Sequence, residues 1–186
     1  MKYIEIEQKY QVDDPDALRA VLTDLGGKPG PVVRQVDTYY NAPHRDFLDT
    51  PVITEWLRIR HSDDGASLNL KEWHLGEDGK ATHCDEYETG VTDAEAVRRT
   101  LRALDYAEMI TVDKTREEWT LPNGRIVIAF DTLAGLGTFM EFEFKADADS
   151  VPAAIDELTA FISHLGVPLG DRIHRGYPHM LLGREQ

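Results

Sequence analysis

The stretch Glu5-Ile6-Glu7-Gln8-Lys9 is the point from which the fold can be worked out. If residues 3–10 form a β-strand, the alternation of side chains places Glu5, Glu7 and Lys9 on one face and the isoleucines on the other. Two carboxylates at this spacing repel each other, so we expect a metal ion, or Lys and Arg from neighbouring strands, to face them. Taken alone, the pentapeptide is better explained as the solvated face of an ordinary antiparallel sheet.

The same alternation recurs along the chain. Further strands are predicted at residues 32–40, 55–61, 67–73, 82–89, 110–121, 125–131 and 138–145. Nearly every one has an apolar face and a face with ionisable groups. The ionisable side chains are Glu5, Glu7, Glu86, Glu88, Glu118, Asp131, Glu141 and Glu143 on the acidic side and Lys9, Arg58, Arg60, Lys71, Lys114, Arg116 and Arg125 on the basic side. Asn123-Gly124 is a strong hairpin signal between two of these strands.

Three helices are predicted between the strands. The first begins at Asp13-Asp14-Pro15 and ends at Gly26-Gly27. A capping box at Thr92-Asp93-Ala94-Glu95 opens the second. The third runs from about Pro152 to Leu165 with an apolar stripe at helical spacing.

Strands of this kind can form either a flat sheet or a closed one. In a flat sheet the ionisable side chains face the solvent. In a closed sheet they line a charged lumen, and the apolar faces pack against helices on the outside. A barrel of about eight strands has an interior wide enough for one small ligand. Periodicity alone does not choose between the two.

Bulk properties limit the function. The 186 residues, without a sharp break in composition, predict a single domain over residues 1–186. The net charge of −14 argues against binding to nucleic acid or to a membrane surface, although a small enclosed basic site is still compatible with it. Cys84 is the only cysteine, which excludes an intrachain disulfide. The N-terminus does not read as a signal peptide and no apolar run is long enough to span a membrane, so a cytoplasmic protein is expected, as a monomer or homodimer.

Several motifs resemble those of the CYTH domain proteins of the triphosphate tunnel metalloenzyme superfamily. In chain order they are ExExK at 5–9, DTYYN at 37–41, LRIR at 57–60, LNLK at 68–71, DKTR at 113–116, DTLAGLGTFMEFE at 131–143 and RGYPHMLL at 175–182. ExExK is weakly specific by itself, but its combination with a downstream GLGxFxExE in one short chain is strongly specific. Asn41 departs from the family, which commonly has Asp at this position.

The resemblance implies an α+β fold, a closed antiparallel β-barrel that forms a triphosphate tunnel, with helices packed on its outside. It also implies a divalent metal, Mg²⁺ or Mn²⁺, both of which prefer hard oxygen ligands. The implied metal ligands are Glu5, Glu7, Glu141 and Glu143. The implied phosphate-binding cations are Lys9, Arg58, Arg60, Lys71, Lys114 and Arg116, with Arg172 and Arg175 of the tail as additions. Of these two sets, Glu5, Glu7, Lys9, Lys71, Glu141 and Glu143 are the expected catalytic residues.

The same phosphate-binding and metal-binding residues serve more than one activity in the family, so the motifs do not identify the attacking group. With water as the nucleophile the protein is a triphosphatase acting on inorganic tripolyphosphate, thiamine triphosphate or a nucleoside triphosphate. With the ribose 3′-hydroxyl of ATP it is a class IV adenylyl cyclase, which releases pyrophosphate. A third interpretation is a non-catalytic module that binds triphosphate or polyphosphate. Cyclases of the family often carry a His-Phe pair just before ExExK, where this chain has Met1-Lys2-Tyr3-Ile4, so hydrolysis is favoured.

Two further features carry no assigned function. His74, His83 and Cys84 do not match a metal-ligand spacing and are interpreted as incidental. Asp131 matches an acidic position of the family, and a structural role is as compatible with it as a functional one.

Overall fold

Nine strands and four helices make up the part of the chain that the computed structural model describes, residues 2–146 and 148–183. The strands are β1 (Lys2–Gln11), β2 (Lys28–Asn41), β3 (Glu55–Ser62), β4 (Gly65–Leu75), β5 (Ala81–Val91), β6 (Ala107–Thr120), β7 (Ile126–Leu133), β8 (Gly137–Phe144) and β9 (Arg172–Ile173). The helices are α1 (Pro15–Asp24), α2 (Ala94–Ala103), α3 (Val151–His164) and α4 (Tyr177–Leu181).

The first eight strands form a closed antiparallel barrel in the order β5-β4-β3-β2-β6-β7-β8-β1. The ring closes at β1, whose first half pairs with β5, as in Glu5 opposite Cys84. The second half of the same strand pairs with β8, as in Lys9 opposite Glu141. The short strand β9 pairs with Lys9 and Tyr10, near the C-terminal end of β1. The predicted α+β fold, a closed antiparallel barrel with helices outside it, is confirmed.

The lumen of the barrel is charged, as predicted. Residues directly opposite each other on paired strands point to the same side, and the register places Lys71 opposite Glu86 and Arg116 opposite Asp131. The prediction is wrong for Arg125. Its guanidinium binds Glu157 of α3, with Nε 2.6 Å from Oε1, on the outside of the barrel. The reason is that Arg125 precedes β7, in a turn to which the alternation of the strand does not extend.

One end of the lumen is filled by apolar side chains, a feature that the sequence analysis missed. We call this cluster the plug. It consists of buried residues from five strands and one loop of the wall and one residue of α4, namely Tyr39, Ile53, Trp56, Val112, Leu133, Phe139 and Tyr177. At the opposite end, the mouth, Glu88 is exposed and the side chain of Glu118 is 53% exposed. The charged part of the lumen therefore lies between an apolar floor and an open rim.

The apolar outer face of the barrel is covered by helices. The largest core cluster joins β1, β6, β7 and β8 to α1 and α3, with Leu18, Ile128, Phe142 and Leu158 fully buried. Burying one such side chain contributes about 1.5–3 kcal/mol. A smaller cluster around Ile59 packs beneath α2. Among the described residues no helix is long and apolar enough to cross a membrane.

The helix starts agree with the predicted signals with one exception. Asp14 Oδ1 accepts a hydrogen bond of 3.0 Å from the backbone N–H of Ala17, which caps α1. The predicted capping box at Thr92 is wrong, because Asp93 is the capping residue and accepts from the N–H of Ala96 at 2.8 Å. The helix thus begins one residue later, and Glu95 binds Arg98 on the helix surface.

Candidate active site

A cavity of about 190 Å³ in the middle of the barrel brings most of the predicted site residues together. Ten of the twelve candidates line it: Glu5, Glu7, Lys9, Arg58, Arg60, Lys71, Lys114, Arg116, Glu141 and Glu143. The remaining two, Arg172 and Arg175, line a smaller neighbouring cavity. These ten residues come from five strands, β1, β3, β4, β6 and β8.

The register of β1 and β8 explains how the two ExE motifs meet. Glu7 lies directly opposite Glu143, and Lys9 lies directly opposite Glu141. The Lys9 ammonium Nζ is 3.0 Å from Glu141 Oε1, and both side chains are at most 10% exposed. Arg116 also binds Glu141 through a short hydrogen bond. Burial alone would raise the pKa of Glu141, but Lys9 and Arg116 outweigh it and hold that pKa well below its usual range.

Asp131 anchors two of the predicted phosphate-binding cations. Its Oδ2 accepts from Lys114 Nζ at 2.8 Å, and its two oxygens accept from Arg116 Nε and Nη2 at 2.7 and 2.6 Å. A third donor is Tyr177, whose hydroxyl lies 2.9 Å from Oδ2. Burial, followed by the adjacent Arg116, lowers the pKa of Lys114 to about 8 in spite of the ion pair. Asp131 thus orients cations toward the cavity.

Asp37 anchors the other two arginines in the same way, a role that the sequence analysis did not assign. Arg60 donates to both carboxylate oxygens at 2.7 Å, and Arg58 Nη1 donates to Oδ2 at 3.1 Å. The carboxylate is 1% exposed. Burial opposes its ionisation, yet the two guanidinium groups, Arg58 first, keep the pKa of Asp37 below its usual range. The alternation along β2 places Asp37 on the same strand face as Tyr39, and the structure shows that Tyr39 lines the charged cavity.

Lys71 lies among carboxylates on the β1–β5 side of the cavity. Its Nζ is 2.5 Å from Glu5 Oε2, 3.8 Å from Glu86 Oε1 and 3.9 Å from Glu7 Oε2. Burial lowers the pKa of the ammonium, but Glu5 and Glu7 outweigh this effect and raise that pKa well above its usual range. Asn69 supports the arrangement, because its amide Nδ2 donates to Glu86 at 2.7 Å.

Among the carboxylates around Lys71, Glu7 is the one whose negative charge is least compensated by nearby cations. Burial, together with the nearby Glu141, raises the pKa of Glu7 from 4.5 to about 7. Within the described residues no group of three or more acidic, His or Cys side chains is already arranged as a metal site. Carboxylate oxygens are nevertheless the donors that Mg²⁺ and Mn²⁺ prefer, and a cation beside Glu7 would favour its ionised form. The donor set therefore fits such an ion.

The neighbouring cavity, which we call the side cavity, measures about 50 Å³. It shares Glu7, Lys9, Trp56, Trp73 and Gly176 with the charged cavity and also contains Arg172, His174 and Arg175. Burial lowers the pKa of Arg172. The two tail arginines are thus adjacent to the predicted site rather than inside it.

Four residues to which the sequence assigned no function have defined surroundings. The rings of His74 and His83 stack with centroids 4.4 Å apart on the outer face of β4 and β5, and His74 binds Asp85. Cys84, by contrast, points into the barrel, where Sγ lies 3.3 Å from Glu5 Oε2. Asn41 Oδ1 accepts from the backbone N–H of Phe47 at 2.9 Å, so that residue organises the loop after β2.

Some cavity residues were missed because their types carry no specific signal. Tyr39, Trp56, Trp73 and Tyr177 look like ordinary core aromatics in the sequence, yet all four line the charged cavity. Only the pairing of distant strands places them there.

Comparison with known proteins identifies the family. The family model described as the CYTH domain matches residues 3–177, and the chain belongs to this family. A curated relative is the MJ0240 protein of Methanocaldococcus jannaschii, provisionally named an adenylate cyclase. It is 28% identical over 175 residues, which are 94% of this chain and 96% of the relative. Adenylate cyclase CyaB of Aeromonas hydrophila is 25% identical over 183 residues, 93% of this chain and 86% of the relative.

Solved structures share the fold. The PH1819 protein from Pyrococcus horikoshii superposes with a TM-score of 0.78 at 28% identity, covering 96% of this chain and 98% of its own. HpAC1 from Hippeastrum, for which a dominant triphosphatase activity is described, has a TM-score of 0.66. It is 18% identical and covers 100% of this chain and 98% of its own, so this likeness concerns the fold alone.

Proposed function

We propose that the charged cavity binds a triphosphate together with Mg²⁺ or Mn²⁺ and hydrolyses a phosphoanhydride bond. One observation carries the proposal. A single cavity inside the barrel holds six cations, Lys9, Arg58, Arg60, Lys71, Lys114 and Arg116, beside the carboxylates Glu5, Glu7, Glu141 and Glu143. Phosphoryl transfer depends chiefly on positioning and on the neutralisation of charge, and this set of groups supplies both.

The arginines and lysines would bind the phosphates in different ways. Arg60 and Arg116 are held by Asp37 and Asp131, which fixes the plane of each guanidinium. Arg60 can therefore offer two parallel donors, from Nη1 and Nη2, to phosphate oxygens. Nη2 of Arg116 also binds Glu141, so Arg116 offers Nη1. Lys9, Lys71 and Lys114 act as point charges. The two buried aspartates also keep these cations from repelling each other before the substrate enters.

The carboxylates would hold the metal. Glu7 and Glu143 lie opposite each other on neighbouring strands, and Glu5 lies two residues before Glu7 on the same strand face. The metal would neutralise phosphate charge and supply an activated oxygen nucleophile. Glu141, which is bound to Lys9 and Arg116, would set the position of both cations relative to this group.

Hydrolysis is favoured over cyclisation by the dimensions of the site. Cyclisation requires that the ribose 3′-oxygen be held in line with the α-phosphorus, about 3–3.5 Å away, and therefore a shaped pocket for the purine. The side cavity of about 50 Å³, between Trp56 and Trp73, has room for only a few water molecules. Inorganic tripolyphosphate needs no such pocket.

Adenylyl cyclase activity is the second candidate, because both curated relatives carry that name. A non-catalytic triphosphate-binding module is the third. It explains less, since binding alone does not require two carboxylate pairs next to the cations.

The experiment is to incubate the protein with tripolyphosphate and, separately, with ATP, each with Mg²⁺ or Mn²⁺, and to identify products by anion-exchange chromatography. We expect phosphate and pyrophosphate from tripolyphosphate. Glu7→Gln should abolish the reaction, and Glu157→Gln, on the outer surface, should retain it. Cyclic AMP and pyrophosphate from ATP, with tripolyphosphate intact, would establish the cyclase instead. Binding without any turnover would establish the binding module.

A further inference from the structure

Tyr177 is the residue of α4 that reaches the floor of the charged cavity. It is the first residue of the helix and is 5% exposed. Its ring packs against Phe139 of the plug with centroids 5.5 Å apart. Its hydroxyl donates to Asp131 at 2.9 Å. The C-terminal segment thus contacts the cation cluster through this side chain, in addition to the backbone carbonyl of Arg175, which accepts from Lys9 Nζ at 3.4 Å.

The face of the Tyr177 ring is next to two ammonium groups. Lys9 Nζ lies 3.9 Å from the ring centroid and Lys114 Nζ lies 5.0 Å from it. Both distances are within the roughly 6 Å over which a cation is attracted to the negative face of an aromatic ring. The attraction is strongest where water is excluded, and the side chains of these lysines are 5% and 2% exposed.

The two lysines are otherwise held by different carboxylates. Lys9 binds Glu141 at 3.0 Å and also donates to the backbone carbonyl of Arg175 at 3.4 Å, whereas Lys114 binds Asp131 at 2.8 Å. None of these contacts links one ammonium group to the other. The ring of Tyr177 is near both ammonium groups, so it links their positions. It also offsets their mutual repulsion.

We propose that Tyr177 is a positioning residue whose ring holds Lys9 and Lys114 side by side, oriented toward the phosphates of a bound triphosphate. The inference rests on the proposed function and extends it to the C-terminal segment. The hydroxyl group has the smaller role of keeping the ring in place through Asp131. The ring has the larger role, because the negative charge on its face attracts the two ammonium groups, and this attraction positions the lysines more than the shape of the ring does.

The test separates the charge distribution of the ring from its shape. Tyr177→Phe keeps both, whereas pentafluorophenylalanine at this position keeps the shape and removes the negative face. Binding of inorganic tripolyphosphate is measured by calorimetry in excess chelator, so that turnover does not interfere, and the melting temperature of each variant is recorded. We expect the Phe variant to bind within about threefold of the wild type and the fluorinated one to bind about three- to tenfold more weakly. Their melting temperatures should be similar.

Tyr177→Leu is the more severe variant. It should raise KM for tripolyphosphate at least about tenfold with a smaller change in kcat, because the lysines contact the phosphates before and during the reaction. Tyr40→Leu is the matched control. Tyr40 is 1% exposed and packs under α2 outside the barrel, so its loss should reduce stability without changing KM.

The experiment distinguishes failure of the inference about Tyr177 from failure of the proposed function. If the wild type binds tripolyphosphate but does not cleave it, the binding comparison still applies. Equal affinity of the Phe and pentafluorophenylalanine variants would overturn the proposal and leave Tyr177 as part of the plug only. A wild type that does not bind tripolyphosphate would overturn both.

Discussion

The ammonium group of Lys71 lies 2.5 Å from the carboxylate of Glu5, within a set of acidic groups proposed to bind a metal ion. Glu7 is 3.9 Å from the same nitrogen. The protein therefore places one of its own cations where a metal ion would be attracted. Phosphate oxygens of the proposed triphosphate would compete with these carboxylates for Lys71, so binding of the triphosphate should draw Lys71 away and leave the carboxylates to the metal.

The first prediction concerns this competition. Lys71→Gln should bind Mn²⁺ more tightly than the wild type in the absence of substrate, by about tenfold, because a competing charge is removed. The same variant should bind tripolyphosphate more weakly. Calorimetric titration with each ligand measures both effects, and Lys28→Gln, at an exposed position, serves as the control. Weaker binding of both ligands by Lys71→Gln would contradict the competition.

The second prediction concerns the pH dependence that Glu7 imposes on the metal-free protein. Its pKa is about 7 in the fold and 4.5 in its absence, so the folded state binds the proton more tightly. The corresponding stability is fully present below about pH 4.5 and is lost as the pH rises through about 7. Relative to Glu7→Gln, the wild type should lose about 2–3 kcal/mol in its free energy of unfolding between about pH 5 and pH 8.

Urea denaturation in chelator at the two pH values measures this difference. Adding Mg²⁺ at the higher pH should restore part of the stability in the wild type and less in Glu7→Gln. Parallel pH profiles for the two proteins would show that Glu7 ionises as an ordinary carboxylate.

The third prediction concerns Asp131. Asp131→Asn should lower the free energy of unfolding by about 3–5 kcal/mol, because Lys114 and Arg116 would be left buried with their partner neutralised. Glu118→Gln, at the half-exposed rim, should change it by about 0.5 kcal/mol or less. Denaturation with urea compares the two. A similar small loss in both variants would show that Asp131 does not hold the cations.

The fourth prediction concerns Cys84. Its side chain is fully buried, and burial raises the pKa of the thiol, which disfavours the reactive thiolate. A disulfide reagent such as dithionitrobenzoate should therefore leave the native protein unmodified over the time in which it modifies the urea-unfolded protein completely. Stoichiometric modification of the native protein would mean that the lumen wall between β1 and β5 opens readily.

The faces of individual strands could be predicted from the sequence because side-chain alternation is a local property. Glu5 and Glu7 share a face for this reason, and so do Glu141 and Glu143. The limits of this reasoning are visible at Arg125, which lies one residue before β7 begins and points outward.

The partners of those residues could not be predicted in the same way. Asp37 binds Arg58 and Arg60 because β2 pairs with β3 in one register, and a shift of that register by one residue would separate them. The plug and the contact between Tyr177 and Lys9 depend on where the tail returns to the barrel. Such placements follow from the packing of the whole chain.

The plug at the floor of the barrel also constrains the order in which molecules arrive and depart. Because apolar side chains fill that end, the proposed triphosphate would have to enter through the mouth. If the triphosphate is cleaved as proposed, the fragment nearest the floor would leave after the fragment nearer the rim. A barrel that is closed at one end therefore predicts an ordered release of the two products.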